Sequence, residues 1–147
     1  MQHEQRVIIL GTFDLFHVGH LRALRFASTL GTFLEVGIES DDMCMESKGR
    51  YPVISEDHRA EIVQNVKGVD SAFIYRNHFY EGFIGPKNYQ VLAWNEANEK
   101  PRHLAFLEYC RRSGIKIVPI PRTPGVSSTE IKADIAHNCR FAGACNV

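Results

Sequence analysis

The feature that most constrains the fold is a short apolar run near the start of the chain that leads through a turn into a helix. Residues 6–10 read RVIIL, a β-branched run that is typical of a strand buried on both faces of a parallel sheet. Residues 21–30 carry apolar side chains at helical spacing, and Gly31 follows where a helix commonly ends. A buried strand followed by a helix is the first half of a βαβ unit.

The same alternation continues along the chain. Further strands are predicted at 33–38, 71–75, 89–94 and 116–120. Helices are predicted at 55–66, 101–113 and 127–135. Two segments show no clear period: 39–54 is polar and irregular, and 76–88 is interrupted by two glycines and a proline.

Strands that alternate with helices predict an α/β fold, a single-domain Rossmann-like doubly wound parallel sheet of about five strands with flanking helices. The expected domain is 1–135, followed by a flexible C-terminal tail over 136–147. The length of 147 residues and the 44% hydrophobic content allow one domain with its own core.

Charge and cysteine usage narrow the class of protein. The 17 basic residues balance the 17 acidic ones, so the charge gives no indication of a nucleic-acid or membrane partner. The start of the chain is polar, so we expect no signal peptide, and no apolar run approaches the ~20 residues of a membrane-spanning helix. The four cysteines form no C-x-x-C pair, so we expect reduced thiols and a cytoplasmic location.

The turn after the first strand is the first candidate site. It reads GTFDLFHVGH over residues 11–20 and opens a helix, whose free amides suit phosphate. His17 and His20 are three residues apart and point the same way on a helical turn. Gly19 leaves room for a phosphate chain near the backbone. Gly11, Thr12, Phe13 and Asp14 complete the predicted nucleotide contacts.

Other interpretations of these histidines are a metal site, core packing or an ordinary turn. No third Cys, His or carboxylate lies at a recognisable metal-ligand spacing, so no metal ligands are predicted. The complete string after a strand favours a phosphate site.

The loop after the last strand is the second candidate site. Residues 121–129 read PRTPGVSST and lead into another helix start. Arg122 offers a planar set of donors to phosphate or to a base carbonyl. The residues predicted to bind nucleotide here are Arg122, Thr123, Gly125, Ser127, Ser128 and Thr129. A capped helix after a Pro-Gly turn explains this segment equally well by itself.

Both segments resemble motifs of one enzyme family. GTFDLFHVGH is similar to the HxGH signature of the cytidylyltransferase branch of the nucleotidyltransferases, and among small single-domain members it most resembles glycerol-3-phosphate cytidylyltransferase. The second segment resembles the family's RTxGISTT motif, with Ser128 where threonine is frequent. The resemblance covers about 6–75 and 116–135. It implies a Rossmann-like nucleotidyltransferase, and a homodimer is expected from the family alone.

The implied reaction transfers a nucleoside monophosphate from a triphosphate, with CTP favoured, to a phosphorylated small molecule such as glycerol 3-phosphate. Mg²⁺ is expected with the triphosphate. The resemblance assigns His17, His20 and Lys48 to catalysis and Arg59, in the following helix, to the nucleotide site. Lys48 is expected in a mobile basic loop, where Arg50 is a weaker candidate.

The middle of the chain departs from the family pattern. Residues 91–100 read VLAWNEANEK, without the Gly-Asp-Asp-like segment that cytidylyltransferases carry there. Trp94 could stack on a base or pack in the core, and Asn95 or Glu96 could supply a polar contact. His78, Tyr80 and Lys87 could line an acceptor pocket or belong to a surface excursion.

Two other functions therefore stay open. One is an adenylyltransferase that uses ATP on a sugar phosphate or similar acceptor. The other is a nucleotide-binding regulatory module without catalysis.

Overall fold

The computed structural model describes residues 3–141, without the side chains of Asn98 and of residues 139–141. Five parallel strands form one sheet in the order β3-β2-β1-β4-β5. The strands are β1 (Arg6–Gly11), β2 (Phe33–Glu39), β3 (Ser71–Tyr75), β4 (Val91–Trp94) and β5 (Lys116–Pro119). The helices are α1 (Val18–Ser28), α2 (Asp41–Lys48), α3 (Glu56–Gln64), α4 (Tyr80–Ile84), α5 (Leu104–Arg112) and α6 (Ser128–Phe141).

The order of the strands places a ligand crevice beside β1. The chain builds the sheet outward from β1 through β2 to β3, then crosses to the other side for β4 and β5. In the register, Ile9 of β1 lies between Val36 of β2 and Ala93 of β4. Ligands of such sheets bind beyond the carboxyl ends of the strands at this reversal.

Helices cover both faces of the sheet, so the doubly wound fold expected from the sequence is confirmed. Alternate residues of β1 point to opposite faces: Val7 and Ile9 join the core beneath α1 and α3, and Ile8 joins the core beneath α4 and α5. All three side chains are buried. Burial on both faces explains the continuous apolar run that predicted β1.

One helix lies where the sequence predicts irregular structure. Residues 41–48 form α2. Ser40 caps it, because its hydroxyl accepts the Met43 amide hydrogen at 3.3 Å, and Gly49 ends it in the left-handed conformation at φ 69°. Only Met43 and Cys44 of α2 are buried, so the helix has too narrow an apolar stripe to show a period.

Other boundaries also differ from those predicted. α6 extends to Phe141, beyond the predicted end at 135, and the rest of the predicted tail, 142–147, lies outside the described residues. The ambiguous segment 76–88 contains α4 and a 3₁₀ turn at Gly85–Lys87.

The cysteine prediction is tested only in part. Cys44 and Cys110 are buried free thiols, whereas the Cys139 side chain and Cys145 are outside the described part of the chain. Over residues 3–141, no helix combines the length and the apolar character needed to cross a membrane.

Candidate active site

A cavity of about 390 Å³ opens at the carboxyl end of β1. It lies between the turn that follows β1 and the segment that leads into α6. Its walls come from the turn after β1, the first turn of α1, the end of α2 and the segment before and within α6. The predicted site residues that line it are Gly11, Thr12, Phe13, Asp14, His17, Gly19, His20, Lys48, Arg122, Thr123, Ser127, Ser128 and Thr129. Two predicted residues, Arg59 and Gly125, do not line it.

The backbone at the start of α1 fixes the tautomers of both histidines. His17 Nδ1 accepts a hydrogen bond from the Gly19 amide at 3.0 Å, and His20 Nδ1 accepts one from the His17 amide at 3.3 Å. A nitrogen that accepts carries a lone pair, so each neutral ring holds its proton on Nε2. Both rings line the cavity, where Nε2–H is the remaining donor of each.

The histidine rings are neutral at physiological pH. Burial lowers the pKa of His20 to about 4, with a further lowering by His17. Burial also lowers the pKa of His17, opposed by the carboxylate of Glu130. The rings stack with centroids 3.8 Å apart, which disfavours two positive charges. The pair therefore offers neutral donors to an anion.

Gly19 is required by the histidine arrangement itself. A Cβ at this position would lie 2.8 Å from His17 Cε1 and 2.9 Å from His17 Nδ1. The sequence suggested that the glycine makes room for phosphate, but in this structure the space beside Gly19 is occupied by the His17 ring. A side chain here would move that ring.

Asp14 ties three segments of the site together. Its carboxylate accepts the amide hydrogens of Val53 and Ile54, each at 2.9 Å, and pairs with Lys132 at 3.1 Å. Burial acts to raise the pKa of Asp14, but the two amides and Lys132 outweigh it, so the pKa is lowered. Its backbone oxygen accepts from the Ser128 hydroxyl at 2.7 Å. Asp14 therefore shapes the turn.

The turn around Asp14 is strained on both sides. Phe13 and Leu15 have φ values of 56° and 49°, a region that bulky side chains rarely adopt. The contacts of Asp14 hold this conformation, and such strain is common in ligand-binding turns.

Lys48 reaches the cavity from a helix and not from the mobile loop predicted by the sequence. It is the last residue of α2. Its ammonium donates to the Thr12 hydroxyl at 2.7 Å and lies 3.4 Å from Glu39 Oε2. The Thr12 hydroxyl in turn donates to Glu39 at 2.8 Å. Glu39, which the sequence did not single out, thus positions both groups.

Arg59 contacts the loops around the cavity and does not line the cavity itself, whereas the sequence predicted that it binds nucleotide. Its side chain is fully buried. Its guanidinium donates to the backbone oxygens of Ile54, Thr12 and Glu39 at 2.6–2.9 Å and to Asp41 at 2.6 Å. These contacts direct its donors into the protein, so Arg59 fixes the loops around the cavity.

The start of α6 forms another wall of the cavity. Ser127 caps the helix, because its hydroxyl accepts the Glu130 amide hydrogen at 3.1 Å. Gly125 has a φ of 77° and shapes the turn that leads to the cap. Lys132, one turn into the helix, lines the cavity and was missed by the sequence analysis, because an isolated lysine within a helix carries no signal.

The atypical middle segment contributes part of the wall. Asn95 and Ala97 line the cavity, whereas Trp94 does not. The Trp94 ring packs edge-on against His103, with centroids 5.2 Å apart, and its indole N–H donates to Glu99 at 3.2 Å. Trp94 is therefore not available to stack on a base in this cavity.

Lys87 lies away from both candidate sites. Its ammonium pairs with Glu35 at 2.9 Å and lies over the Phe73 ring. The possible acceptor role of Lys87 is therefore not supported. Among residues 3–141, no group of three or more His, Cys, Asp and Glu side chains could hold a metal ion.

Comparisons with known proteins point to one family. The profile of the cytidylyltransferase-like family matches residues 8–134. A glycerol-3-phosphate cytidylyltransferase of Bacillus spizizenii is 31% identical over 133 residues, which cover 90% of this chain and 98% of the relative. An FAD synthase of Pyrococcus abyssi is 38% identical over 69 residues, 47% of each chain.

A solved structure shows the same fold. The lipopolysaccharide core biosynthesis protein of Thermoplasma volcanium superposes with a TM-score of 0.72 at 24% identity, over 82% of this chain and 99% of that one. Since the family profile spans most of the chain and a relative that is 31% identical is matched over 98% of its length, the chain belongs to the cytidylyltransferase-like family of nucleotidyltransferases.

Proposed function

We propose that this enzyme transfers CMP from CTP to a short phosphorylated alcohol of the glycerol 3-phosphate type and releases pyrophosphate. The observation that carries the proposal is the pair of neutral imidazoles that line one cavity together with Lys48. Donors held by the backbone need no rearrangement when charge develops on a phosphoryl group. The relative named glycerol-3-phosphate cytidylyltransferase, similar over nearly its full length, supports the choice of nucleotide and acceptor.

The reaction needs no nucleophile from the protein. An oxygen of the acceptor's phosphate forms a bond to the α-phosphorus of CTP. The bond from that phosphorus to the oxygen bridging to the β-phosphate breaks, and pyrophosphate leaves with the electron pair. Catalysis then consists of positioning and charge stabilisation.

Each wall of the cavity has a role in this scheme. His17 and His20 donate through Nε2 to the α-phosphoryl oxygens, and Lys48 neutralises the leaving pyrophosphate. The amides and hydroxyls at the start of α6, with Arg122 beside them, bind the triphosphate, because a helix N-terminus favours an anion.

Mg²⁺ is proposed here as a companion of the triphosphate that no cluster of protein ligands holds. The carboxylate of Asp14 is already bound by backbone amides and Lys132, and the described residues offer no three-ligand cluster. We propose that phosphate oxygens hold the ion, which would lower the negative charge that the side chains must meet.

ATP is the second candidate nucleotide. The similarity to a protein named FAD synthase, whose product contains adenine, motivates it, as does the atypical segment 93–100. A binding module without catalysis is disfavoured, because such a module would not need His17, His20 and Lys48 together in the cavity. A homodimer and a cytoplasmic location stay predictions, and light scattering after size-exclusion chromatography tests the first.

Pyrophosphate release tests the proposal. The protein is incubated with Mg²⁺, each of the four ribonucleoside triphosphates and a panel of phosphorylated alcohols and sugars. We expect release with CTP and a short acceptor, and its loss in His17→Ala. His58→Ala is the control, since His58 is exposed on α3 and does not line the cavity.

Each result has a distinct meaning. Release with ATP alone would replace CTP by the second candidate. No release with any pair, together with tight triphosphate binding, would contradict the proposed reaction and favour the regulatory module.

A further inference from the structure

Helix α6 carries one wall of the nucleotide cavity but buries none of its described side chains, those of residues 128–138. Ile131 and Lys132 are half-buried, and Ile135 is 55% exposed. By contrast, α1 and α5 both bury apolar side chains in the core. Since most helices in proteins are stabilised by packing of an apolar face, the position of α6 depends more than theirs on polar contacts.

Two polar contacts attach the start of α6 to Asp14. The Ser128 hydroxyl donates to the backbone oxygen of Asp14 at 2.7 Å, and the Lys132 ammonium pairs with the Asp14 carboxylate at 3.1 Å. Ser128 and Lys132 are four residues apart, so they lie on the same face of the helix. Both contacts therefore hold that face against the turn after β1.

The ion pair between Lys132 and Asp14 is largely shielded from solvent. The Asp14 side chain is 6% exposed and the Lys132 side chain 27%. The pair of Arg111 with Glu108 is longer, at 3.9 Å, and both of its side chains are more than half exposed. A partly buried pair is screened much less than an exposed one, so the contact of Lys132 can fix the position of α6.

Asp14 is a firm anchor for this contact. Its carboxylate also accepts the amide hydrogens of Val53 and Ile54, each at 2.9 Å. Asp14 lies three residues before His17 in the same turn. A movement of α6 relative to Asp14 is therefore also a movement relative to the histidine pair.

We propose that Lys132 is a positioning residue, which acts through Asp14 to hold the start of α6 in its binding position before the triphosphate arrives. The inference rests on the proposed function, in which the triphosphate contacts both α6 and the histidine pair. Lys132 lines the cavity, but its charge is already matched by Asp14. It therefore acts by placing the helix and not as a ligand of the phosphates.

A wall that is already in position raises the affinity for the nucleotide. If α6 were loosely attached, the triphosphate would have to order the helix as it binds, and the apparent affinity would fall by the fraction of molecules with the helix in place. Once the triphosphate is bound, the helix is in position and the chemical step is unchanged. A positioning role of Lys132 therefore affects the triphosphate KM more than kcat.

Hydrogen exchange of the ligand-free protein tests the role of Lys132 without any substrate. Lys132→Met removes the ion pair and keeps a long side chain. Because a hydrogen bond between charged groups is lost, we expect the backbone amides of α6 to exchange about tenfold faster while those of β1 keep their rates. Lys132→Arg keeps the charge and should restore slow exchange. Asp134→Asn, which changes an exposed charge in the same helix, is the control and should leave the rates unchanged.

Steady-state kinetics of pyrophosphate release test the consequence for the nucleotide. In Lys132→Met we expect the triphosphate KM to rise about tenfold, in step with the faster exchange of α6. The values of kcat and of the acceptor KM should stay within about threefold of those of the unchanged protein. Lys132→Arg should restore the triphosphate KM, and Asp134→Asn should change none of these constants.

The possible failures have different meanings. Unchanged exchange of α6 in Lys132→Met would overturn the positioning role, and a raised triphosphate KM in that case would make Lys132 a direct ligand of the phosphates. Faster exchange in β1 as well would overturn it in favour of a general loss of stability. An unchanged triphosphate KM despite faster exchange of α6 would also overturn it. If the unchanged protein releases no pyrophosphate with any triphosphate and acceptor, the proposed function fails, whereas faster exchange confined to α6 would still support the attachment of α6 by Lys132.

Discussion

At the scale of single residues, the position of the His17 ring depends on the absence of a side chain at Gly19. A methyl group there would approach the ring to 2.8 Å, so Gly19→Ala must displace it. Because a displacement of about 1 Å can cost roughly 100-fold in rate, we expect kcat to fall by about that factor while the fold is kept. Steady-state kinetics and circular dichroism measure the two effects.

The control for this substitution is Gly85→Ala. The added Cβ would lie 2.9 Å from the Tyr109 hydroxyl, at a position that does not line the nucleotide cavity. Its kcat should stay near that of the unchanged protein. Full activity of Gly19→Ala would show that the His17 ring position is not needed.

His20 makes the stability of the protein depend on pH. The folded-state pKa is about 4, whereas an unfolded histidine titrates near 6.5. Between these values the unfolded chain binds more protons, so the unfolding free energy falls as the pH falls. The contribution is complete above about pH 6.5 and decreases by at most about 1.4 kcal/mol per pH unit down to about pH 4.

Urea unfolding between about pH 7 and pH 5 checks this dependence. His20→Asn keeps an oxygen that can accept the His17 amide hydrogen but removes the titrating group. Its stability should fall less steeply than that of the unchanged protein. The pKa values of His17 and His103 are also lowered by burial, and both of these residues are kept in the variant. Parallel curves would contradict the assignment to His20.

The sequence predicted the histidine pair but not the role of every charged residue. His17, Gly19 and His20 lie in one turn, so their spacing alone brings them together. Arg59 fits the family position in the chain, yet its guanidinium is occupied by backbone oxygens of its own protein. Sequence spacing indicates which residues lie near a site. It does not indicate whether the hydrogen-bond donors of a side chain face the ligand or other groups of the protein.

At the scale of elements, Arg59 connects α3 by hydrogen bonds to the segments around the cavity. Its donors reach the end of β1, the end of β2 and the start of α2. Arg59→Met would leave these groups without a partner, so we expect the unfolding free energy to fall by about 3 kcal/mol. Urea unfolding measures the change.

Arg22→Met is the matched control, because Arg22 is exposed on α1. It should change the unfolding free energy by less than about 0.5 kcal/mol. An equally small change in the unfolding free energy of Arg59→Met would show that the hydrogen bonds of the buried guanidinium do not stabilise the fold.

The helices differ in how well the sequence revealed them. α1 shows its apolar face, with Leu24 and Ala27 buried, and was predicted. α2 begins with Asp41 and Asp42 after the Ser40 cap and buries only Met43 and Cys44. Its stability comes from capping and favourable charge at its first turn, which a search for apolar periods cannot detect.

At the scale of the whole molecule, the nucleotide cavity joins the first turn of the chain to the last helix. A ligand that contacts both stabilises the folded state by mass action, by about 2.7 kcal/mol at 100 times its dissociation constant. For a domain of this size that corresponds to a rise in Tm of roughly 5–10 °C. Thermal denaturation with and without CTP and Mg²⁺ measures it.

The response should depend on the last loop. Arg122→Ala is expected to reduce the shift at a given CTP concentration, whereas the exposed Arg25→Ala should not. A larger shift with ATP than with CTP would favour the second candidate nucleotide. No shift with any triphosphate would contradict the proposed site.

The sheet and the nucleotide cavity were largely predictable, whereas a second cavity of about 160 Å³ that adjoins it was not. Repeated apolar runs and short connections predict parallel strands, and their carboxyl ends gather the two motifs. The second cavity draws on Glu39, Tyr75, Tyr80, Trp94 and the segment around Lys100. These residues are scattered through segments with no shared pattern, and only the folded sheet brings them together.

The position of the cavity at the end of β1 has a kinetic consequence. In the proposed reaction both substrates meet in this cavity beside Gly11 and Thr12, so the nucleotidyl group passes directly from one to the other and forms no covalent intermediate with the protein. Turnover then requires a ternary complex, and the initial-rate lines for one substrate at fixed levels of the other intersect instead of running parallel.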